Sequence, residues 1–316
     1  MTHIRSVLFT IALCVLSIAA QAQDGADQKA VLVTGASSGI GLKIAQTLAA
    51  NGYYVYAGAR KADDLARLNS MDNVSAVQLD VTVQSDIDAA VAFVQAQGRG
   101  LWGIVNNAGI GRYAPLVNGP ESEFRLTFEV NVMGPYKINQ AFLPFVIESK
   151  GRTAVIGSIN GFLPSPGSAG YAASKFAMEG YTDSLAGELS ATGVHAAIVE
   201  PGSYKSNIRD TAFRAAVARE ESGDLDIDDN TKNSLTESVQ RNESYKEPDE
   251  VAAAVLHLMS NDNPKRRYMV TPNAEQAAMT IRAALERIVQ LNQDQPYTYN
   301  RDDLVAMLDE LLEASD

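Results

Sequence analysis

The sequence predicts an α/β fold: one doubly wound parallel sheet of about seven strands, flanked by helices and followed by a C-terminal helical extension. Two observations lead to it. Short apolar runs recur along the chain, and helical periodicity fills the gaps between them. The runs are continuously apolar rather than alternating, which is typical of strands buried on both faces of a parallel sheet. Strand–helix–strand units in series build a Rossmann-like sheet.

The predicted elements follow one another in regular alternation from residue 30. The strands are "AVLVTG" (30–35), "YYVYAG" (53–58), "VSAVQLD" (74–80), "WGIVNN" (102–107), "RTAVIGS" (152–158), "HAAIVEPG" (195–202) and "RRYMVT" (266–271). The clearest helical patterns cover 39–51, 85–97, 122–148 and 169–191. Ligands bind a doubly wound sheet at the carboxyl ends of its strands, so functional motifs are expected directly after strands.

The stretch 203–248 interrupts this alternation. It is polar, with an acidic run "EESGDLDIDDN" at 220–230. We expect a mobile, substrate-covering segment inside a catalytic domain at 28–271; a solvated acidic loop without function is the alternative. The tail at 273–316 contains two amphipathic helical patterns, whose apolar stripes are expected in the core or in a subunit contact.

The composition excludes several function classes. The chain has 316 residues, of which 46% are hydrophobic, and a formal net charge of −12. An acidic surface repels phosphate backbones, so no nucleic-acid partner is expected. A local pocket for a phosphate-bearing cofactor remains compatible with that charge. The sequence has no spaced His/Asp/Glu cluster, so no metal site is expected either.

Residues 1–22 are typical of a signal peptide. Arg5 gives a positive start, an apolar stretch covers 7–20, and Ala20 and Ala22 form a small-residue cleavage site. The apolar stretch is shorter than the roughly 20 residues that span a bilayer, so export to the periplasm without a membrane span is expected. A membrane-anchored or cytoplasmic enzyme is the alternative. The only cysteine, Cys14, lies in this segment, so thiol chemistry is not expected.

A glycine-rich turn, "VTGASSGIG" (33–41), ends the first strand and opens the first helix. Glycines let the backbone turn tightly and approach a pyrophosphate, and the free amides of a helix start attract its negative charge. The turn therefore predicts a dinucleotide site. Its predicted cofactor contacts are Gly35, Ser37, Ser38, Gly39, Ile40 and Gly41.

The end of the second strand favours NADP(H) as the cofactor. An acidic residue about 18–20 positions beyond the glycines would bind the ribose of NAD. Ala59 stands there instead, followed by Arg60 and Lys61. A guanidinium can hold a 2′-phosphate. The alternatives are an Arg60 that only faces water, and NAD(H) as the cofactor.

Two later turns are also expected to contact the cofactor. In "LDVT" (79–82), Asp80 and Val81 follow the third strand, and the Asp80 carboxylate either accepts a hydrogen bond from the adenine amine or serves a cap or turn. In "NNAG" (106–109), Asn107, Ala108 and Gly109 follow the fourth strand. A purely structural turn is the alternative there.

The motif "YAASK" (171–175) predicts an acid–base pair. Tyr171 and Lys175 lie four residues apart, so they share one face of a helix. A nearby ammonium stabilises a phenolate, and we therefore expect Lys175 to lower the pKa of Tyr171. Ser158 ends the fifth strand and can hydrogen-bond a carbonyl oxygen. Asn131 lies in a helical stretch that faces the same region.

In combination, these motifs resemble the short-chain dehydrogenase/reductase family over about residues 28–271. "TGASSGIG", "NNAG", "YAASK" and "PG" stand in the order and near the spacing of that family. The resemblance implies a catalytic tetrad of Asn131, Ser158, Tyr171 and Lys175. Tyr171 would donate or accept the proton, Ser158 would hold the substrate oxygen, Lys175 would also bind the nicotinamide ribose, and Asn131 would support a water relay.

The same resemblance implies further properties. Pro201 and Gly202 would contact the cofactor, as would Tyr171 and Lys175, and the protein would be a dimer or tetramer. "EPGSYKSNI" and "GAR" look like the branch that contains retinol and 17β-hydroxysteroid dehydrogenases, which implies a bulky apolar alcohol or carbonyl substrate. The alternative function is a catalytically silent NADP-binding regulatory or partner-binding protein on this fold.

Overall fold

Seven parallel strands form one sheet at the centre of the protein. The computed structural model describes residues 28–314, so the predicted signal peptide at 1–22 lies outside the described residues. The strand order is β3-β2-β1-β4-β5-β6-β7. The strands are β1 (Ala30–Val33), β2 (Tyr54–Ala59), β3 (Val74–Gln78), β4 (Gly103–Asn106), β5 (Arg152–Ile156), β6 (His195–Pro201) and β7 (Arg267–Val270).

Helices connect the strands and continue beyond the last one. A π-helical turn, Glu129–Met133, separates two of them, and a short 3₁₀ turn covers Ile159–Gly161. The α-helices are α1 (Gly39–Ala50), α2 (Ala62–Asn69), α3 (Gln84–Gln97), α4 (Glu121–Phe128), α5 (Gly134–Ser149), α6 (Ala169–Leu189), α7 (Ile208–Glu221), α8 (Asp229–Glu243), α9 (Asp249–Ser260), α10 (Ala274–Asn292) and α11 (Arg301–Glu313).

The sheet is covered on both faces, which explains its continuously apolar strands. All four residues of β1 are buried. On one face, α1 and α9 contribute side chains such as Ile44 and Val255 to a core cluster. On the other, α3, α5 and α6 contribute side chains such as Ile87, Phe142 and Leu185. Burying both faces of a parallel sheet in this way gives the three-layer arrangement of a doubly wound fold.

The strand order reverses at β1, and this point positions the functional site. β1 pairs with β2 on one side and with β4 on the other. The helices that follow β1 and β4 therefore diverge to opposite faces and leave a crevice at the carboxyl ends of these strands. Thr34 follows β1 and Asn107 follows β4, so the two glycine-containing turns predicted from the sequence meet at this crevice.

The predicted fold class is confirmed, with local differences. The helix predicted over 122–148 is divided by the π-helical turn into α4 and α5. The stretch 203–248, expected to be a polar loop, contains the helices α7 and α8. Each buries a single residue, Ala216 in α7 and Asn242 in α8, so neither has the apolar stripe that reveals a helix in a sequence.

The C-terminal residues form a second compact unit that begins at Asn273. It contains α10 and α11. The Asn273 side chain accepts a hydrogen bond from the Gln276 amide at the start of α10, and Asn300 and Asp303 form a reciprocal capping box at the start of α11. Over residues 28–314, no helix combines the length and the apolar character that crossing a bilayer requires.

Candidate active site

The glycine turn after β1 leaves no space for a side chain at two of its glycines. Gly35 has a φ of +64°, and a Cβ there would stand 2.9 Å from the Cα of Ala108. At Gly41 a Cβ would stand 2.3 Å from Nδ2 of Asn107 and 2.4 Å from the carbonyl oxygen of Gly35. Side chains are therefore sterically excluded at these two positions, and the backbone there is uncovered. A bare backbone at a helix start suits the close approach of a pyrophosphate.

Thr34 joins the two turns of the crevice. Its Oγ1 accepts hydrogen bonds from the backbone amides of Asn107 and Ala108, both at 3.0 Å. The Asn107 side-chain amide donates to the carbonyl oxygens of Thr34 and Gly35, at 2.9 and 3.1 Å. Thr34 was not among the residues predicted from the sequence to have a role. Its place directly before Gly35, at the end of a buried strand, was the available signal.

Arg60 and Asp80 lie together at the other end of the crevice. The Arg60 guanidinium stands 3.4 Å from Oδ2 of Asp80, and 67% of its side chain is exposed. Oδ1 of Asp80 accepts hydrogen bonds from the amide and the hydroxyl of Thr82, so the predicted turn role is present. Burial raises the pKa of Asp80, but these bonds and the Arg60 charge outweigh it and hold the pKa below its usual value.

Arg67 is a further cation at this turn that the sequence analysis did not identify. It lies on α2, where its guanidinium donates to the carbonyl oxygen of Ser37 and pairs with Asp64 at 2.9 Å. The contact fixes the glycine turn from the side of β2. The helical position of Arg67 was the missing information, because α2 was not predicted.

A cavity of about 1000 Å³ opens over the carboxyl ends of the strands. Tyr171 and Lys175 line it from α6, whereas Ser158 and Asn131 are not among the residues that line it. All residues predicted to contact a cofactor line it: Gly35, Ser37, Ser38, Gly39, Ile40, Gly41, Arg60, Asp80, Val81, Asn107, Ala108, Gly109, Tyr171, Lys175, Pro201 and Gly202.

Tyr171 and Lys175 occupy successive turns of α6, as the spacing predicted. The Lys175 Nζ stands 5.6 Å from the centre of the Tyr171 ring and donates a 2.8 Å hydrogen bond to the carbonyl oxygen of Ile156. The hydroxyl of Ser158 lies close enough to the Tyr171 phenol to lower the pKa of that phenol. It also accepts a bond from the Asn160 amide at 3.1 Å, which fixes its position at the end of β5.

The pKa of Tyr171 differs from the expectation. Burial raises it above its ordinary value, and the nearby Ser158 hydroxyl and the charge of Arg209 oppose this only in part. The prediction that Lys175 makes this phenol more acidic is therefore wrong for the protein alone. The ammonium donates to the Ile156 carbonyl oxygen, and loss of water around the phenol is the largest influence on its pKa.

The environment of Lys175 instead shifts the pKa of the lysine itself. Its side chain is 7% exposed, and burial lowers its pKa from 10.5 to about 8 while the charge of Glu179 opposes the shift. Between these values the unfolded chain holds a proton that the folded chain releases. Stability therefore rises with pH across this window, and the full cost of burying the charge applies below about pH 8.

This window gives a testable pH dependence without nucleotide. We expect the free energy of unfolding of the wild-type protein to rise between about pH 8 and 10.5, relative to Lys175→Met, by the order of 2–3 kcal/mol. Urea denaturation across this range measures it. Lys265→Met, which removes an exposed lysine, should follow the wild-type slope. Equal slopes for Lys175→Met and wild type would show that Lys175 titrates normally.

Two buried carboxyl groups lie behind Lys175. Glu200, at 3% exposure, lies beside Glu179, and two carboxyl groups so close together resist carrying a charge each. Burial and the neighbouring Glu179 raise the pKa of Glu200 to about 8. Arg267 contacts Glu179 at 3.1 Å and Glu200 at 3.7 Å. The pair was not predicted, because Glu179 and Glu200 are brought together only by the packing of α6 on β6.

Asn131 is the central residue of the π-helical turn. Its side chain is buried and accepts a 2.8 Å bond from the Ile110 amide. It also donates to the Ile110 carbonyl oxygen and to Ser174 Oγ, both at 3.0 Å. A π-helical turn often marks a functional position in a helix. Here it presents Asn131 to the segment that follows Gly109, and a role in a water relay stays a prediction.

These features define a class of protein. A bare glycine turn at the switch point of a parallel sheet, with a tyrosine–lysine pair in the same cavity, is the arrangement of a dinucleotide-dependent oxidoreductase. The family model described as short chain dehydrogenase matches residues 29–216. The chain belongs to the short-chain dehydrogenase/reductase family and is an NAD(P)-dependent oxidoreductase acting on CH–OH groups.

Individual relatives agree with this assignment. The chain is 32% identical over 266 residues to the mitochondrial D-beta-hydroxybutyrate dehydrogenase of Bos taurus, across 78% of this chain and 77% of that protein. It is 37% identical over 192 residues to estradiol 17-beta-dehydrogenase 2 of Mus musculus, across 58% and 50%. A solved short-chain dehydrogenase from Streptomyces avermitilis, 27% identical, matches with a TM-score of 0.68 across 85% and 99%. The resemblance stated from the motifs is thus confirmed.

Proposed function

We propose that this protein is an NADP(H)-dependent oxidoreductase that interconverts a bulky apolar alcohol and its ketone or aldehyde, with Tyr171 as the general acid and base. The observation that carries the proposal is the Tyr171 phenol, which lines the cavity together with Lys175 and lies close to the Ser158 hydroxyl. A phenol in this position can exchange a proton with an oxygen that Ser158 also contacts. Lys175 would add a positive charge beside the same atoms.

The proton chemistry follows from the buried phenol. Because burial raises the pKa of Tyr171, its neutral form dominates near neutral pH and can donate a proton to a carbonyl oxygen. The Ser158 hydroxyl would hold that oxygen in place. In the opposite direction Tyr171 must first lose its proton, so we propose that carbonyl reduction is the favoured direction near neutral pH.

The crevice suits a nicotinamide dinucleotide, which supplies or accepts the hydride when bound. The fit rests on the bare turn at Gly35 and Gly41, where a Cβ would fill the space beside Asn107 and Ala108. Free amides at the start of α1 would hold the pyrophosphate. Arg60 would hold the 2′-phosphate of NADP, and Lys175 would hold the nicotinamide ribose. The exposed guanidinium of Arg60 and the absence of an acidic residue at Ala59 support NADP over NAD.

Arg60→Ala tests the choice of nucleotide. We expect it to raise the Kd for NADP by about 5- to 20-fold and to change the Kd for NAD less, because a charge-assisted bond to the 2′-phosphate is lost. Asp80 would also lose its cation and repel that phosphate. Titration calorimetry with both nucleotides measures the effect. Arg125→Ala, which removes an exposed partner of Glu121 on α4, is the control, and equal weakening of both nucleotides would refute the assignment.

The proposal of an apolar substrate rests on the cavity wall and on one relative. Beyond the nucleotide turn, side chains such as Tyr113, Ile208 and Leu235 line the cavity. The relative named estradiol 17-beta-dehydrogenase 2 shares 37% identity over 192 residues. A panel of steroid, retinoid and simple aliphatic ketones, followed by nicotinamide absorbance with NADPH and NADH, tests it. A protein that binds NADPH and reduces none of them would contradict the proposed reaction.

A further inference from the structure

Arg209 is a cavity cation that no predicted role explains. It is the second residue of α7, it lines the same cavity as Tyr171, and its charge is close enough to lower the pKa of that phenol. Its Nη2 donates a 3.1 Å hydrogen bond to Ser203 Oγ, and the guanidinium carbon lies 5.1 Å from the centre of the Tyr245 ring. These contacts hold the side chain in place beside the reacting end of the cavity.

The other arginines that line the cavity have carboxylate partners. Arg60 lies 3.4 Å from Asp80, Arg112 lies 2.9 Å from Glu123, and Arg241 lies 3.3 Å from Glu237. Arg209 differs from all three. Among residues 28–314, no carboxylate oxygen stands within 4 Å of its guanidinium, in a chain that carries 38 acidic residues. The acidic neighbour Asp210 pairs with Arg214 instead, at 2.8 Å.

The start of α7 adds to the positive potential at this corner. The helix begins at Ile208, and the Asn207 side chain makes no capping bond to it. The first amides of an uncapped helix point their N–H groups outward and favour an anion. Asn207 and Ile208 line the cavity together with Arg209. A guanidinium carries five N–H donors, of which the bond to Ser203 uses one.

Resting on the proposed function, we infer that Arg209 binds a carboxylate of the substrate, so that the protein acts on hydroxy acids or oxo acids with an apolar body. A guanidinium matches a carboxylate in shape and charge and binds it through paired hydrogen bonds. One cation balances a monoanion, whereas a phosphate monoester dianion would keep a negative charge inside an acidic protein. Tyr113, Ala212 and Leu235 line the space for the apolar body. Arg209 would thus orient the carbonyl toward Tyr171.

Paired substrates test this inference. The substrates are medium-chain oxo acids that differ in the number of carbon atoms between the carbonyl and the carboxylate. Each acid is compared with its own methyl ester, and both are assayed with NADPH. For at least one spacing of carbonyl and carboxylate, the wild-type enzyme should have a higher kcat/KM for the acid than for its ester. Arg209→Gln should lower the acid-to-ester ratio of kcat/KM about 10- to 100-fold, the value of one charge-assisted contact, and Arg209→Lys should restore part of it. Arg214→Gln, on the exposed side of the same helix, should leave the ratio unchanged.

Two results would overturn the inference. One is a wild-type enzyme whose kcat/KM is the same for the acid and for its ester at every spacing of carbonyl and carboxylate. The other is an Arg209→Gln variant in which kcat/KM falls by the same factor for the acid and for its ester. Such an equal loss would arise at the nucleotide or at Tyr171. Titration calorimetry with a saturated fatty acid and its primary amide, in the presence of NADP, measures the carboxylate site without turnover. It therefore distinguishes failure of this site from failure of the proposed reaction. If the wild-type protein binds the acid more tightly than the amide, and Arg209→Gln loses this difference, the site is supported even without turnover. Equal binding of acid and amide by the wild-type protein refutes it.

Discussion

Tyr171→Phe should lower kcat for carbonyl reduction by at least about 10²- to 10⁴-fold, the usual contribution of a general acid. Phenylalanine fills the same space and removes only the hydroxyl that gives up the proton. Ser158 keeps its bond from the Asn160 amide, so the end of β5 should not move. We therefore expect the Kd for NADPH and the melting temperature to stay near their wild-type values. Single-turnover kinetics and calorimetry measure these quantities separately.

The matched control is Tyr181→Phe on the same helix. The Tyr181 hydroxyl accepts a 2.9 Å hydrogen bond from the Asn139 amide, and its pKa is also raised, chiefly by burial. Its substitution therefore removes a comparable phenol outside the cavity and should leave kcat within about 3-fold of wild type. If Tyr171→Phe kept more than about a tenth of the wild-type kcat, Tyr171 would not be the general acid.

The motifs predicted the residues of the site better than its electrostatics. Glycine turns and the Tyr171–Lys175 spacing are local, so the sequence indicates where their backbones and side chains lie. The pKa of Tyr171 depends on how completely the folded protein excludes water, and no spacing reports that. Arg209 likewise has no motif. Its relation to Tyr171 exists only because the start of α7 and the start of α6 line the same cavity in the folded chain.

A similar limit applies to the fold. The central strands β1, β4 and β5 were predictable because they are fully buried, which leaves an unbroken apolar run, whereas the edge strands β3 and β7 are only partly buried. The helices α7 and α8 were not predictable, because each buries one residue. The π-helical turn was not predictable either. Its central residue, Asn131, hydrogen-bonds Ile110, which lies 21 residues away and is brought near only by the folded chain.

The reacting end of the cavity combines groups that are costly to bury. Tyr171, Lys175 and Glu200 all have shifted pKa values for which burial is the largest cause. Each shift favours the neutral form of its group. Lys175, with a pKa of about 8, still carries its charge near neutral pH, and Arg209, which has no carboxylate partner among residues 28–314, is a second cation near Tyr171. A substrate carboxylate would neutralise Arg209 and leave the Tyr171 phenol more strongly protonated.

The second large effect is expected at the glycine turn. Gly41→Ala should weaken nucleotide binding by about 100-fold or more and lower the stability by about 1–3 kcal/mol, because the added methyl group overlaps the Asn107 amide and the Gly35 carbonyl. Helix propensity alone predicts the opposite, since alanine is favoured over glycine in a helix by about 1 kcal/mol. Nucleotide titration and thermal unfolding measure both quantities.

Gly187→Ala is the control that separates the two effects. Gly187 lies in α6, and a Cβ there would meet nothing within 4 Å. Only the helix preference applies, so this variant should be more stable by up to about 1 kcal/mol and should bind nucleotide as wild type does. Two glycines in helices would then respond in opposite directions to the same methyl group. If Gly41→Ala also gained stability and kept its affinity for NADPH, the turn would have room for a side chain, and the close backbone approach to a pyrophosphate would be refuted.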